Sequence, residues 1–333
     1  MGPLVSILIP CFNAEQWIAQ AIESALAQTW SEKEVIVVDD GSTDHSLDVI
    51  RQFEDRIRWE TGPNRGGNAV RNRLLDLARG EWVQYLDADD YLLCDKIAQQ
   101  MDFLVIHPGT DVVFGPMTIE HWSESDNRRE LLPIPEPYDV WVLLASWRLP
   151  QTGALIWRKQ SIFDVGGWKE SQPCCQEHEL YVRMLIAKKQ FKYWPTNGAI
   201  YRQWSNMTVC RRDITEVHRR RIEIEDIAER HLREVNQLTT ARLQAINLAR
   251  FEIARIAWQY DPSLARKIMK QVLNLDSGFL PSGKAARAHY RLIFRLFGFT
   301  ITETLAATVR SIFKVPLVRL FRSSINARSL PVA

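Results

Sequence analysis

Leu4 to Ile9 form an almost unbroken apolar run that Pro10-Cys11-Phe12-Asn13 ends abruptly. Such a run suits a strand buried on both faces. The period then changes. Trp17, Ile18, Ala21, Ile22, Ala25 and Leu26 recur at helical spacing, which predicts an amphipathic helix over 14–28. Glu34 to Val38 reads as a second buried strand, ending at Asp39-Asp40-Gly41-Ser42, and Thr43 or Asp44 can cap a helix that runs to about Glu54. Residues 56–60 suit a short third strand, and Gly62-Pro63-Asn64-Arg65-Gly66-Gly67 a loop. Asn68 to Ala78 is helical and closed by Gly80, and Glu81 to Leu86 is a fourth strand.

Strand alternates with helix through this half, so the expected class is α/β, a mostly parallel sheet with helices on both faces. Polar clusters follow three of the strands: Pro10 to Asn13, Asp39-Asp40, and Asp87 to Asp89. In an open sheet such ends share one edge and converge on one crevice. Further on, 111–116 reads as a strand and 121–137 as a proline-rich loop. Residues 151–168 read as a strand and a turn at Gly166-Gly167-Trp168, and 176–188 as a helix. Helical patterning then dominates, over 213–236, 238–259, 262–275, 284–297 and 300–323. The expected division is a domain over 1–211, with halves 1–95 and 96–211, and a helical region over 212–333.

Composition narrows the picture. With 333 residues, 46% hydrophobic and 25% charged, the chain is globular rather than disordered or fibrous. No uncharged 18-residue span and no basic leader stand out, so neither a signal peptide nor an integral membrane helix is expected. Five cysteines, with one adjacent pair and no C-x-x-C, argue against a disulfide framework or zinc site and fit a reducing cytoplasm. The net charge of +2 hides an asymmetry: from Lys284 onward there are nine Lys/Arg and one acid, Glu303.

Chemistry concentrates at Asp87-Ala88-Asp89. Two carboxylates one residue apart, leaving a buried strand, are hard oxygen ligands that can hold Mg²⁺ or Mn²⁺ and through it a diphosphate. A polar turn after a strand is the plain alternative.

Four segments in order carry a resemblance: Val5 to Asn13, Glu34 to Asp44, Asn64 to Asn72, and Gly80 to Asp90. Together they resemble glycosyltransferase family 2, with the GT-A fold, closely to about residue 95 and more loosely to about 190. The resemblance implies metal-assisted, inverting transfer of a sugar from a nucleotide donor, with uracil the expected base. The acceptor it implies is a glycan or lipid-linked hydroxyl in polysaccharide or glycolipid biosynthesis of the cell envelope. It places Asp40, beside Asp39, at the uracil ring, where a carboxylate can accept from a ring N–H. Pro10 and Phe12 shape the base and ribose pocket, lined by Asn13 and Glu15. Asn64, Gly66, Gly67 and Asn68 bring backbone and a helix N-terminus to the diphosphate, and Arg71 meets the nucleotide. Asp87 and Ala88 reach ribose or a metal-bound water, and Asp89, with Asp87, holds the divalent metal. For Phe12 and Trp168 plain core packing is the competing reading.

Family members carry Glu-Asp ahead of Leu-x-x-Arg on a helix. Here Leu180 and Arg183 anchor Gln176-Glu177-His178-Glu179, which makes Glu177 the candidate base, one methylene longer than usual. Glu179 is read chiefly as an ion-pair partner of Arg183. Trp168, Gln151 and Glu179 are the candidate acceptor or sugar contacts. Basic and apolar residues interleave over 285–323, which suits an amphipathic helix on an anionic membrane surface, or a bundle packing on protein. The expected location is cytoplasmic, peripheral to the inner face of the plasma membrane. No nucleic-acid module is present. Two other classes stay open: a nucleotide-sugar-binding module without turnover and a sugar-phosphate nucleotidyltransferase.

Overall fold

The first apolar run becomes β1 (Val5–Cys11), with β2 (Lys33–Asp39) parallel on one side and β4 (Trp82–Tyr85) parallel on the other. This computed structural model describes residues 2–122, 127–204, 213–283 and 286–313. β3 (Arg58–Thr61) extends the sheet beyond β2, and β9 (Leu155–Arg158), β6 (Val112–Phe114) and β10 (Phe191–Tyr193) extend it beyond β4. β9 alone runs antiparallel to its neighbours. Residues 5–9, 35–39 and 82–85 of the central strands are buried, as their apolar runs require. The helices α1 (Ile18–Leu26), α2 (Ser46–Arg51) and α3 (Gly67–Leu77) connect the first four strands.

A second, four-stranded sheet was not expected. It consists of β5 (Tyr91–Leu92), β11 (Ala199–Gln203), β7 (Met117–Trp122) and β8 (Asn127–Leu132). The segment read as a loop over 121–137 is in part the β7–β8 hairpin. β8 escapes a hydrophobicity pattern because it is an edge strand rich in charge, with Arg129 donating to Glu120 at 2.8 Å. Between the sheets' strands lie α4 (Lys96–Ile106), α6 (Lys159–Phe163) and α7 (Gln176–Ile186).

The chain forms two units: Met1–Tyr138 with Leu149–Ser205, and Asp139–Arg148 with Asn206–Ala333. The division differs from the expected boundary at 211, and residues 139–148 belong with the helices. Asp139 caps α5 (Val140–Ala145), accepting from Trp141 N at 2.9 Å, and its other oxygen pairs with Arg242 at 2.9 Å. The helical unit continues with α8 (Ile214–Glu234), α9 (Thr240–Ala257), α10 (Pro262–Leu275) and α11 (Ala288–Phe313). Its core gathers Phe251, Ile268, Phe279, Tyr290 and Phe294. The two helices expected over 284–323 meet at Gly298, whose φ of 71° kinks α11; residues 314–323 of that expectation lie outside the described residues. Ala288–Arg310 is long and apolar enough to cross a membrane by length and composition, with 22% of its most apolar window buried. The sequence reading had expected no such span.

Candidate active site

Parallel register brings the ends of β1, β2 and β4 to one edge, with Cys11 opposite Asp39 and Leu8 opposite Tyr85. Burial, and next the Asp39 carboxylate, push the Cys11 thiol up to about 12, so it stays protonated and unreactive. Two loops at this edge are stitched together. Ser42 Oγ accepts from Asn13 N at 2.9 Å, Asn13 Oδ1 from Thr43 N at 2.8 Å, and Glu15 Oε2 from His45 N at 2.8 Å. Asn13 and Glu15 therefore brace the pocket's rim. Pro10 is half-buried, whereas Phe12 is 49% exposed, which removes core packing as its role and leaves an open aromatic face.

Asp39 and Asp40 divide their work. Asp39 is buried and accepts from Thr61 Oγ1 at 2.7 Å and Ser42 N at 3.3 Å, fixing its own turn to β3. Asp40 accepts from Arg65 N at 2.7 Å and Gly66 N at 2.9 Å, so it pins the loop over 64–67. Each carboxylate oxygen has a second lone pair, which keeps a further donor admissible. Asn64 and Gly67 are exposed and Gly66 is half-buried at the start of α3.

The next residues of α3 face elsewhere than expected. Asn68 Nδ2 donates to Lys169 O at 2.8 Å and Gln172 O at 3.1 Å. One turn on, Asn72 exchanges two 2.8 Å bonds with the backbone of Trp168. Asn68 thus holds the 165–176 loop rather than standing open to a diphosphate. Arg71 donates to Asp87 Oδ1 at 2.8 Å and to Gln176 Oε1 at 3.1 Å. Burial disfavours its charge, but Asp87 and then Glu177 hold its pKa above the ordinary value.

The acid turn is gripped from both sides. Asp87, half-buried, meets Arg71; Ala88 is buried; Asp89 Oδ2 accepts from Trp204 Nε1 at 2.9 Å. Asp90 points away and accepts from Arg202 N at 2.8 Å. Burial first, then the Asp87 charge, raise the Asp89 pKa above the usual carboxylate range. Each acid gives one oxygen to its neighbour and has a second. Among the described residues no group of three or more His, Cys, Asp or Glu could hold a metal. Two carboxylates completed by substrate phosphates and water are a normal Mg²⁺ arrangement, so the residues present fit that cation.

Glu177 lies half-buried in the first turn of α7, on the helix that Arg71 contacts through Gln176. Glu179 is buried and taken by Arg183, whose Nη2 donates at 2.7 Å, and Arg183 also donates to Gly167 O at 2.8 Å. That pairing was the favoured expectation, and it turns Glu179 away from sugar contact. Trp168 is 2% exposed, with Arg71 5.0 Å over its ring and Tyr85 edge-on at 5.3 Å. Core packing holds for Trp168, which offers no open face to a sugar. Gln151 precedes the turn Thr152–Ala154, and its buried Oε1 has no partner among the described residues.

Sequence reading missed Asn72, Arg202 and Trp204. The i, i+4 pair Asn68 and Asn72 on one helix face was the available signal for the first. Arg202 gave no such signal, since its burial, at 4% exposure, follows only from the fold.

A mostly parallel α/β sheet with an Asp-x-Asp turn at its switch point, a glycine loop before a helix and a carboxylate helix beside them define a GT-A-type glycosyltransferase domain. Residues 6–167 match the model of Glycosyl transferase family 2. Residues of this chain are 38% identical over 103 positions to the Escherichia coli UDP-Glc:alpha-D-GlcNAc-diphosphoundecaprenol beta-1,3-glucosyltransferase WfaP, covering 30% of this chain and 41% of that one. An E. coli chondroitin synthase is also 38% identical over 103 residues, 30% of this chain and 15% of its own length. The chain thus spans less than half the length of these relatives. In fold it resembles S. aureus TarS 1–349, solved in complex with UDP-GlcNAc, with a TM-score of 0.63 and 14% identity over 92% of each chain.

Proposed function

We propose that this protein transfers a sugar from a UDP-sugar to an acceptor hydroxyl with inversion, in the synthesis of a polysaccharide or glycolipid. The observation that carries this reading is the Arg71 bridge, which ties the Asp87–Asp89 turn to the helix bearing Glu177. It sets two acids for a nucleoside diphosphate beside a separate carboxylate for an acceptor proton. Phe12 offers its exposed ring to the base, while the loop held by Asp40 leads into the N-terminus of α3, where an anion is favoured. Glu177 takes the proton of the attacking hydroxyl as the sugar's anomeric bond to the diphosphate breaks. Asp87 and Asp89 would hold Mn²⁺ or Mg²⁺, which neutralises charge on the departing diphosphate. UDP is favoured because it is the nucleotide in the names of the WfaP relative and the TarS complex.

A membrane-facing role for α11 belongs to the same reading. Leu292, Leu296, Phe297, Ile301, Leu305 and Val309 are exposed along it, with Arg291 and Arg295 exposed in its first half and Arg287 exposed just before it. Arginines inside the apolar stretch and the kink at Gly298 favour a helix lying on anionic lipid over one that spans it. The protein then sits on the inner face of the plasma membrane, near a lipid-linked acceptor. Sedimentation with phosphatidylglycerol vesicles but not phosphatidylcholine vesicles would support this placement, and equal loss from both would overturn it.

The deciding experiment is a panel of nucleotide sugars with Mn²⁺, scored for release of free nucleoside diphosphate by wild type and Asp89→Ala. One donor hydrolysed by wild type alone supports the transferase and names the sugar. Metal-dependent UDP binding without turnover on any supplied acceptor favours a binding module. Absence of both sinks the reading.

A further inference from the structure

Trp204 stands directly after β11 and donates its indole N–H to Asp89 Oδ2 at 2.9 Å. Its ring is 41% exposed and lies 5.8 Å from that of Trp17, which Trp122 meets edge-on at 4.9 Å. The backbone of the acid turn is held by other means. Arg202, packed 4.2 Å over Trp17, donates Nη1 to Asp89 O at 2.8 Å, while its own N–H goes to Asp90. The fold of the turn therefore rests on Arg202, and the bond from Trp204 concerns the Asp89 carboxylate.

We propose that Trp204 is a clamp on Asp89 that a divalent cation must displace, so that it acts as a positioning residue for the metal step. This rests on reading Asp89 as a cation ligand. Asp87 and Asp89 are two acids one residue apart, and Arg71 donates to the first and the indole to the second. A dication on Asp89 competes for the same oxygen lone pairs and repels the positive end of the N–H dipole. It also removes the need for that bond, because it neutralises the charge on Asp89. The indole then leaves Oδ2 and keeps only its contact with Trp17. Arg71 does not behave alike. It is buried, and it holds Gln176 as well as Asp87. The clamp thus sits on the one acid whose partner is free to move into solvent, and it makes the end of β11 sensitive to whether the donor site is loaded.

The test measures Mn²⁺ binding in the presence of UDP, by paramagnetic resonance of free Mn²⁺, for the full chain of wild type, Trp204→Phe and Asp89→Ala. Phenylalanine keeps a ring against Trp17 and removes only the N–H. Trp204→Phe is expected to bind Mn²⁺ about fivefold more tightly, the equivalent of one partly exposed hydrogen bond to a charged group. Damage to the fold would weaken binding, so the sign separates the clamp from a structural role. With Mg²⁺ and UDP, tryptophan emission should change in wild type and much less in Trp204→Phe. Equal or weaker Mn²⁺ binding by Trp204→Phe, with binding lost in Asp89→Ala, overturns the clamp and leaves the two-acid reading intact. Binding that survives Asp89→Ala, or no binding by wild type, overturns that reading and the clamp with it.

Discussion

Arg71 donates to Asp87 at 2.8 Å from a position only 8% exposed, while its second nitrogen reaches Gln176 at 3.1 Å. Gln176 occupies the place where the resemblance implies a glutamate. An amide there accepts from the guanidinium without adding a third carboxylate to a group that already holds Asp87 and Glu177. The departure from the family's pattern is thus compatible with a working site, because the charge that matters is carried one residue later.

The bridge makes a stability prediction. Arg71→Met leaves the half-buried Asp87 beside an apolar side chain, and losing a charged hydrogen bond of this kind costs about 2–3 kcal/mol. Adding Asp87→Asn should recover part of that loss, which a double-mutant cycle in urea would measure. Arg71→Lys should be intermediate, since one ammonium does not reproduce the planar fork that meets two partners. Strict additivity of the two substitutions would show that the bridge is not an interacting unit.

Glu177 and Glu179 should separate cleanly. Glu177→Gln removes the proton acceptor and keeps shape, so transfer should fall by about 10²–10⁴ while urea denaturation barely changes. Glu179→Gln weakens the pairing with Arg183 that also holds Gly167, and should cost about 2 kcal/mol of stability. If Glu179→Gln were the variant to lose turnover at unchanged stability, the base assignment would move to it.

Gly41 tests the nucleotide loop. Its φ is 74°, and an added Cβ would meet Asn64 N and Gly62 O at 2.9 Å, both backbone atoms. A left-handed conformation costs an L-residue about 1–2 kcal/mol before that crowding is counted. Gly41→Ala should therefore lose about 2 kcal/mol or more and weaken UDP binding, because the displaced loop is the one Asp40 holds. Calorimetric titration with UDP and Mn²⁺ is the check, and unchanged affinity would place the nucleotide elsewhere.

How far the fold was legible follows from which signals are one-dimensional. The buried runs Leu4 to Ile9 and Glu34 to Val38 announced parallel strands because both faces are covered. β8 gave no such signal, since Arg128, Arg129 and Glu130 face solvent or pair across strands. Acids at strand ends were legible because chain order alone puts them at one edge. The roles of Asn68, Asn72 and Trp168 were not. Each depends on a partner about a hundred residues away in sequence, and nothing in a helix face says whether it meets a ligand or a loop. Trp204 was hidden for the same reason, standing 115 residues from Asp89.

His218 offers a prediction about pH in the helical unit. It is 1% exposed, with Nδ1 2.9 Å from Tyr260 Oη, and burial, with Arg221 nearby, lowers its pKa to about 3. A histidine lowered in the folded state binds its proton more readily once unfolded. Stability from this group is therefore fully present above the unfolded value near 6.5 and is lost as pH falls toward 3. At pH 5 the loss is about 2 kcal/mol, from 1.5 pH intervals at about 1.4 kcal/mol each. Glu225 and Glu252 are buried with raised pKa values and work in the opposite direction, gaining stability as pH falls. The slope of the wild type alone is thus not diagnostic; its difference from His218→Gln is. Glutamine can bond Tyr260 and does not titrate, so between pH 7 and 5 the wild type should lose about 2 kcal/mol relative to the variant in urea denaturation. Parallel pH profiles for the two proteins would mean that His218 is protonated, or reached by water, in the folded unit.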